Sequence, residues 1–393
     1  MYRVKAIIGT GYGDEGKGMW TNQMVKDSNN PLVVRNNGGA QVGHTVVENG
    51  KRYIFSHLGS GSLYKAPTLY TRYSVVSPTL FLKEVNVRNK GLNGQIFIEG
   101  RTPVTTHYDI FLNQVTEIAR GDNRHGSTGC GFGATLERID DGVTLFYEDL
   151  FKDTDLLVKK IKAIRDWCLD RLPNRMPFFL DSMDEAPYNI MYRSLDKFIE
   201  ECKAFCSKTE MWKNSFNFYD DIIFENGQGL LLDQEYGEFP NVTRSNTGFR
   251  NIGKILKRLG NFGSVPVDVY YISRCYTTRH GAGPLDYEKE GLSGITVEDP
   301  TNIQNEFQGS LRFAPLNICK MNNAIFWDRQ TLPSNANIYK VVTCCDQVDP
   351  LGTTSLIERN NKLRKEVNYE EFLDILSYEF NILNWSPEGL IYS

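Results

Sequence analysis

The sequence predicts an α/β fold: a mainly parallel central sheet with helices on both faces, a phosphate site of the P-loop kind, and an inserted helical subregion. Three observations predict it. Short, continuously apolar runs recur along the chain, as strands buried on both faces require. Segments with helical spacing of apolar residues fall between them, the alternation that builds parallel sheets. Glycine-rich turns follow several of the apolar runs, at the sheet edge where such folds bind ligands.

The first strand is expected at Val4 to Ile8, followed by a glycine loop and a helix from Met19 to Lys26. Pro31 to Val34, Gln95 to Ile98, Ile222 to Phe224, Val267 to Ile272 and Ile338 to Val342 read as further buried strands. Asp149 to Glu210 reads as a mostly helical insert, within which Leu195, Phe198, Ile199, Cys202, Phe205 and Cys206 keep helical spacing. Ile252, Ile255, Leu256 and Leu259 mark another helix, with Gly260 as its stop. Asn368 and Glu371 form a capping-box pattern ahead of Phe372, Ile375 and Leu376. No repeat, low-complexity tract or linker interrupts the chain, so residues 1–393 are read as one domain carrying the insert at 149–210.

Composition narrows the function classes. A hydrophobic fraction of 40% and a charged fraction of 23% are those of an ordinary globular protein. A formal net charge of -4 gives no electrostatic footprint for nucleic acid, so an anionic ligand must be held by local Lys, Arg and backbone N–H groups. The eight cysteines form neither a disulfide framework nor a zinc pattern. Reduced thiols, no signal-peptide pattern and no apolar run of membrane-spanning length set the expectation of a cytoplasmic protein.

The chemistry begins in Gly11-Tyr12-Gly13-Asp14-Glu15-Gly16-Lys17-Gly18. From Gly11 the spacing is that of a phosphate cradle, but Gly18 stands where the motif has Ser or Thr. The hydroxyl that ordinarily holds magnesium is missing, and a carboxylate, Asp14, has entered the loop. Beside a phosphate, a carboxylate is unfavourable unless it does chemistry or holds a cation. Four more glycine-marked segments follow. Arg35 to Thr45 carries Gln41, Gly43 and His44 after the second strand. Gly126 to Gly133, with Ser127 and Thr128, reads as a phosphate nest or as a flexible glycine loop. Glu225 to Gly229 presents Gln228, whose amide can read a base edge, with Val242 to Thr247 downstream. Thr278 to Pro284 follows a fifth strand.

Taken together, these segments resemble the adenylosuccinate synthetase family. G-D-E-G-K-G stands at Gly13 to Gly18, G-H-T at Gly43 to Thr45, and the G-x-x-G-x-G-x-G loop at Gly126 to Gly133. G-Q-G stands at Gly227 to Gly229, V-T-x-S-N-T at Val242 to Thr247, and T-R-x-G-A-G-P at Thr278 to Pro284. The resemblance implies a ligase that phosphorylates the purine O6 with a nucleoside triphosphate and then displaces phosphate with the amine of L-aspartate. It implies Asp14 as the base for the N1 proton, His44 and Lys17 as stabilisers of the transferring phosphoryl group, and Gln228 as a catalytic group facing the purine. Magnesium would be held by Asp14 and the Gly43 carbonyl. Gly13, Glu15, Gly16, Gly18, Gln41, Ser127, Thr128, Thr243 and Asp346 would line the nucleotide and phosphate sites. Arg279 would touch the ribose or support its loop. Arg312, with Gly309 and Ser310, would hold the aspartate. A homodimer is expected from the family.

The departures bear on which purine and which donor. The guanine-reading T-K-L-D segment here is Thr343-Cys344-Cys345-Asp346, and the I-S-T-G-P stretch that touches the same base would begin where this chain reads Ile391-Tyr392-Ser393. ATP or dATP is therefore expected in place of GTP. Ser310 stands for an arginine that contacts the 2'-hydroxyl, and Gln41 for an asparagine beside the purine. The partner-subunit arginine has no match, Arg138 lying several positions early. These changes resemble the branch of the family that acts on dGMP, and dGMP with ATP is the favoured expectation. IMP with GTP is the alternative, and a P-loop nucleotide kinase a second.

Overall fold

Alternate residues of the apolar runs pack on opposite sides of one sheet, which is why the runs are continuous. Val4, Ala6 and Ile8 face one core, while Ile7 faces another. Leu32 and Val34 share the first core and Val33 the second; Ile222 and Phe224 divide from Ile223 in the same way. The helix Lys17–Lys26 covers one face with Met19, Trp20, Met24 and Val25. Arg250–Arg258, Ile318–Arg329 and Tyr369–Glu379 cover the other. The computed structural model describes residues 2–88, 92, 94–175, 194–297, 307–386 and 391–392.

In chain order the strands are β1 (Arg3–Gly9), β2 (Pro31–Arg35), β3 (His44–Glu48), β4 (Lys51–Phe55), β5 (Thr68–Tyr70), β6 (Ile96–Ile98), β7 (Glu210–Met211) and β8 (Asp221–Gly229). They continue as β9 (Val267–Arg274), β10 (Tyr276–Arg279), β11 (Arg312–Asn317), β12 (Ala336–Thr343), β13 (Thr353–Ile357), β14 (Leu363–Asn368), β15 (Ile382–Asn384) and β16 (Ile391–Tyr392). The main sheet runs β16-β15-β12-β9-β1-β8-β2-β5-β6-β7, with β15–β16 its antiparallel pair and the remaining pairs parallel. The expected α/β class, mainly parallel with helices around the sheet, is what forms.

β1 lies centrally between β8 and β9, and its carboxyl end opens directly into the glycine loop. The register of β1 on β8 shifts between Ile7 and Gly9, a bulge that re-aims the end of β8 carrying Gln228. A second sheet, β10-β11-β13-β14, and the hairpin β3–β4 stand at the same carboxyl edge. Within the segment 149–210, helices span Thr154–Arg175 and Leu195–Cys206, and their buried residues join Phe111, Leu112 and Val115 in a separate core. Residues 176–193 lie outside the described residues.

Candidate active site

The glycine loop is held by its own acid. Glu15 folds back to accept from the Gly11 N–H and pairs with Lys17 Nζ at 3.1 Å, both side chains being buried. Burial pushes the Glu15 carboxyl up, against the opposing pull of Lys17. The Glu15 side chain thus organises the loop from inside, and what position 15 can offer a phosphate is its backbone N–H. Gly16 takes a left-handed conformation, φ 90°, and starts the helix at Lys17, so the loop delivers N–H groups and a helix N-terminus to one point.

Gly18 is fixed by packing. A Cβ there would lie 2.8 Å from His44 Cβ, 2.9 Å from the Thr45 carbonyl oxygen and 3.0 Å from Ser60 Oγ. The hydroxyl of the usual motif is missing because β3 and the Ser60 turn pack where it would stand. Gly18→Ser, which restores the phosphate-cradle consensus, is expected to lower stability by about 1–3 kcal/mol and to displace His44. A thermal melt and a turnover assay check this; a stable, fully active variant would remove the constraint.

Asp14 is itself left-handed, φ 59°, an uncommon state for a non-glycine residue. Gln228, φ 55°, and Cys344, φ 63°, share it. Such conformations concentrate at functional sites. Asp14 Oδ2 lies 3.1 Å from His280 Nε2, and Arg274 Nε donates to the Asp14 carbonyl. Burial works to raise the Asp14 carboxyl, but the hydrogen bond from His280 and the charges of His280, Arg274 and Lys17 together hold it below its ordinary value. Asp14 is therefore an ionised carboxylate at neutral pH, fit to accept a proton or bind a cation.

His44 is buried against Glu225, with Nδ1 2.6 Å from Oε1. Arg35 Nη1 reaches Glu225 Oε2 at 2.8 Å, and Ser60 Oγ donates to the same carboxylate. Burial, joined by the charge of Arg35, keeps the His44 imidazole below its usual value. Burial would raise Glu225, but the charges of His44 and Arg35 reverse this and bring it down to about 2. With Nδ1 held between Glu225 Oε1 at 2.6 Å and Arg35 Nη1 at 2.8 Å, Nε2 is the ring nitrogen left to meet a ligand. His44 Nε2 is buried and has no hydrogen-bond partner among the described residues.

The purine-reading candidates share that condition. Both amide atoms of Gln41 and Oε1 of Gln228 are buried and unpartnered among the described residues. They converge, since a Cβ placed on Gly38 would lie 3.5 Å from Gln228 Oε1 and 3.7 Å from Gln41 Nε2. Asn37 locks the two turns together, accepting from the Gly227 N–H at 2.8 Å and donating to its carbonyl at 2.9 Å. Buried polar groups are rarely left unsatisfied, so such a cluster at a sheet edge marks a ligand-facing surface.

The remaining segments close around the loop. Thr278 Oγ1 donates to the Gly13 carbonyl at 2.8 Å, and Thr343 Oγ1 to that of Glu15 at 3.1 Å. Gly126 abuts Gly281 so closely that a Cβ would meet Gly281 Cα at 2.3 Å, and one on Gly129 would meet Phe307 at 2.9 Å. Ser127 Oγ accepts from Asn113, and the segment through Thr128 ends at Gly131, the left-handed cap of the helix Phe132–Asp140. The neighbour of Thr243, Arg244, pairs with Asp140 on that helix at 3.0 Å. Gly309, φ 77°, and the exposed Ser310 precede Arg312 at the start of β11. Asp346 is exposed in the turn Cys345–Gln347 just past Thr343, and Gly43 is exposed just before His44.

Two arginines are already engaged. Arg279 gives Nε, Nη1 and Nη2 to the carbonyls of Ala282, Pro284 and Asn241, and stacks 4.2 Å over Tyr12. These contacts support the loops that carry it. Arg312 is bonded to both carboxylate oxygens of Glu288 and to the carbonyls of Gly281 and Gly283. Arg138 is buried against Asp109 at 2.7 Å, with both side chains at 0% exposure, so it cannot reach a second subunit. All eight cysteines are free.

The groups that sequence reading passed over are Arg35, Glu225 and His280. Arg35 and Glu225 carried a signal, being charged residues directly after the apolar runs Pro31 to Val34 and Ile222 to Phe224. His280 carried none beyond its place in a glycine turn.

Hard oxygen donors at Asp14 and the Gly43 carbonyl suit magnesium, which takes few protein ligands and completes its shell from phosphate and water. Among the described residues no group of three or more His, Cys, Asp or Glu forms a protein-only metal cage, and no helix is long and apolar enough to cross a membrane.

Comparison with known proteins agrees with this geometry. The family model "Adenylosuccinate synthetase" matches residues 6–308. Adenylosuccinate synthetase of Borrelia duttonii (strain Ly) is 29% identical over 308 residues, covering 75% of this chain and 67% of that protein. The enzyme of Buchnera aphidicola subsp. Schizaphis graminum is 32% identical over 296 residues, covering 72% and 64%. Fully ligated adenylosuccinate synthetase from Plasmodium falciparum shares the fold with a TM-score of 0.61 at 19% identity, covering 95% of this chain and 86% of that one. Cyanophage S-2L succinoaminodeoxyadenylate synthetase, solved with dGMP and with dATP as an energy donor, shares it with a TM-score of 0.59 at 16% identity, covering 100% and 95%.

Proposed function

The chain belongs to the adenylosuccinate synthetase family, and from that premise we propose that it joins L-aspartate to the 6-position of dGMP, with ATP as phosphoryl donor. Members of the family are carbon–nitrogen ligases that form a nucleoside diphosphate and phosphate, and they use Mg2+ and a nucleoside triphosphate. The product would be N6-succino-2-amino-2'-deoxyadenylate, with ADP and phosphate.

The observation that carries this reading is the set of buried, unpartnered polar atoms at Gln41, Gln228 and His44 Nε2, gathered beside an ionised Asp14. A purine whose O6 is phosphorylated must lose the N1 proton, and Asp14 is the carboxylate available to take it. Bound magnesium would draw electron density from the phosphate oxygens, with Asp14 and the Gly43 carbonyl as its protein ligands. His44 Nε2, once the Glu225 carboxylate supports a proton on the ring, donates to the transferring phosphoryl oxygens. Lys17 adds fixed positive charge to the same loop.

Three features support dGMP. Gln41 is longer than the family's asparagine and presents both a donor and an acceptor, which the 2-amino group and N3 edge of guanine can use. Ser310 in place of an arginine relaxes selection for a 2'-hydroxyl. The cyanophage neighbour, sharing the fold, was solved with dGMP and dATP. IMP with GTP is the competing reading, favoured by the retained Asp14 and by the curated relatives, which are adenylosuccinate synthetases. A homodimer is proposed from the family alone.

Phosphate release tests both layers. The chain is incubated with Mg2+, ATP or GTP, and dGMP or IMP, with and without L-aspartate. Release requiring dGMP, ATP and aspartate together is expected. Aspartate-independent transfer of phosphate to the nucleotide 5' end would overturn the ligase reading, and turnover of IMP but not dGMP the specificity.

The engagement of Arg312 gives a further expectation. Glu288 presents a carboxylate to the guanidinium proposed to hold that of aspartate. Its removal in Glu288→Gln frees the fork, and KM for L-aspartate is expected to fall by about 3-fold, the scale of a partly exposed ion pair, with kcat unchanged. A raised KM would show that Glu288 positions Arg312.

A further inference from the structure

A second concentration of cations lies on the helix-covered face of the sheet, away from the glycine loop. A surface cavity of about 440 Å3 is lined by Asn322, Phe326, Arg329, Lys340 and Arg359, among others. Phe326 and Arg329 are on the last turns of the helix Ile318–Arg329, Lys340 is on β12, and Arg359 follows β13. None of its lining residues lines the pocket at the glycine loop, which is formed by Thr10 to Gly13 with Arg274, Thr278 and Lys320 among others, so the cavity is a separate one.

The charges in it are not balanced. Among the described residues Glu379 is the carboxylate that pairs with these cations, and it is already engaged. Arg359 Nε and Nη2 grip it at 2.5 and 3.0 Å, Asn322 Nδ2 donates to it at 3.1 Å, and Lys340 Nζ stands off at 3.8 Å. Lys340 instead donates to Asn322 Oδ1 at 2.8 Å. No ion pair or side-chain hydrogen bond forms at Arg329 among the described residues. Lys340 is held below its ordinary value, first by burial and then by the charges of Arg359 and Arg329, against the pull of Glu379. Three cations that repel one another around an open cavity form a favourable place for an anion. Phe326, 68% exposed, stands at the same cavity.

We propose that this cavity is a binding site for a free mononucleotide, its phosphate held by Arg329, Lys340 and Arg359 and its base stacked on Phe326. The size is that of a small-ligand pocket. Guanidinium and ammonium groups supply charge-assisted hydrogen bonds to phosphate, and an aromatic face takes any base. A nucleic-acid strand is disfavoured by the overall charge of -4. β12 links the site to the reaction centre. Three residues beyond Lys340, Thr343 bonds the Glu15 carbonyl inside the glycine loop.

AMP binding to the full chain, followed by calorimetry, tests the site. Two classes of AMP binding are expected, one in the cavity and one at the glycine loop. The double variant Arg329→Gln, Lys340→Gln should lose the first, weakening it on the order of 10-fold or more, and Lys17→Ala the second. Phe326→Ala, a surface change that leaves the core intact, should weaken AMP in the cavity but not inorganic phosphate. A double variant with the wild-type AMP isotherm, at an unchanged melting temperature, overturns the site. Phosphate binding as tightly as AMP, with Phe326→Ala silent, overturns the nucleotide assignment.

Discussion

Asp14→Asn is expected to abolish turnover, by at least about 10^3-fold in kcat, while leaving the fold and nucleotide binding in place. The substitution isolates chemistry from structure. Asn is close to Asp in shape, and it tolerates the left-handed conformation that position 14 adopts. Its carbonyl oxygen can still accept the His280 hydrogen bond now made at 3.1 Å, and the Arg274 contact goes to the backbone carbonyl, which is untouched. What disappears is the charge, and with it both the proposed base and the proposed magnesium ligand. Because His280, Arg274 and Lys17 hold the Asp14 carboxyl below its ordinary value against burial, the wild-type rate should not fall until the pH drops below the usual carboxylate range. Single-turnover phosphate release across pH, beside a thermal melt, checks this. Turnover near the wild-type level in Asp14→Asn would remove Asp14 from the reaction.

The strands were legible because parallel strands buried on both faces cannot hide their apolar character. Val267 to Ile272 lies wholly within β9 and Ile338 to Val342 within β12. The hairpin β3–β4 carried a signal in Asn49-Gly50, both at positive φ, the two-residue turn that suits hairpin twist. It was overshadowed by the glycine motif running into His44. The second sheet gave no periodic pattern, since β10, β11, β13 and β14 are short and interrupted by loops. The capping box at Asn368 forms by half: Asn368 Oδ1 accepts from the Glu371 N–H, but the Glu371 carboxylate turns to Arg364. Of the site, contiguous motifs were legible and their partners were not. Arg35 meets Glu225 across 190 positions, and Asp14 meets His280 across most of the chain. Spacing within a motif says nothing of such pairs, which the order of strands in the sheet decides. Arg279 shows the converse. It stands inside a motif, yet the carbonyls of its own turn and of Asn241 take all three nitrogens of its guanidinium.

Glu225→Gln should be the most damaging substitution that touches no substrate. The carboxylate is fully buried, and it is the counter-charge of a buried Arg35 at 2.8 Å and the acceptor for His44 Nδ1 at 2.6 Å. Removing one member of such a pair leaves an uncompensated charge and is expected to lower stability by about 3–5 kcal/mol at neutral pH. The pH dependence has a definite sign. The folded carboxyl sits at about 2 against an ordinary value of 4.5. Its contribution is therefore complete above about 4.5 and is lost as the pH falls through that window towards 2. The gap in melting temperature between wild type and Glu225→Gln should be widest near neutrality and should close on acidification, where a protonated Glu225 becomes the near-equivalent of Gln. Activity should fall as well, by about 10^2-fold in kcat with KM for the nucleotide little changed. Burial and Arg35 disfavour the imidazolium, and the Glu225 carboxylate is the group that permits it when phosphoryl charge develops at Nε2. Glu225→Asp, which restores the charge at a shorter reach, should recover part of the stability and less of the rate. Equal melting temperatures at neutral pH, or a gap that persists undiminished in acid, would show that Arg35 and His44 are held by something other than this carboxylate.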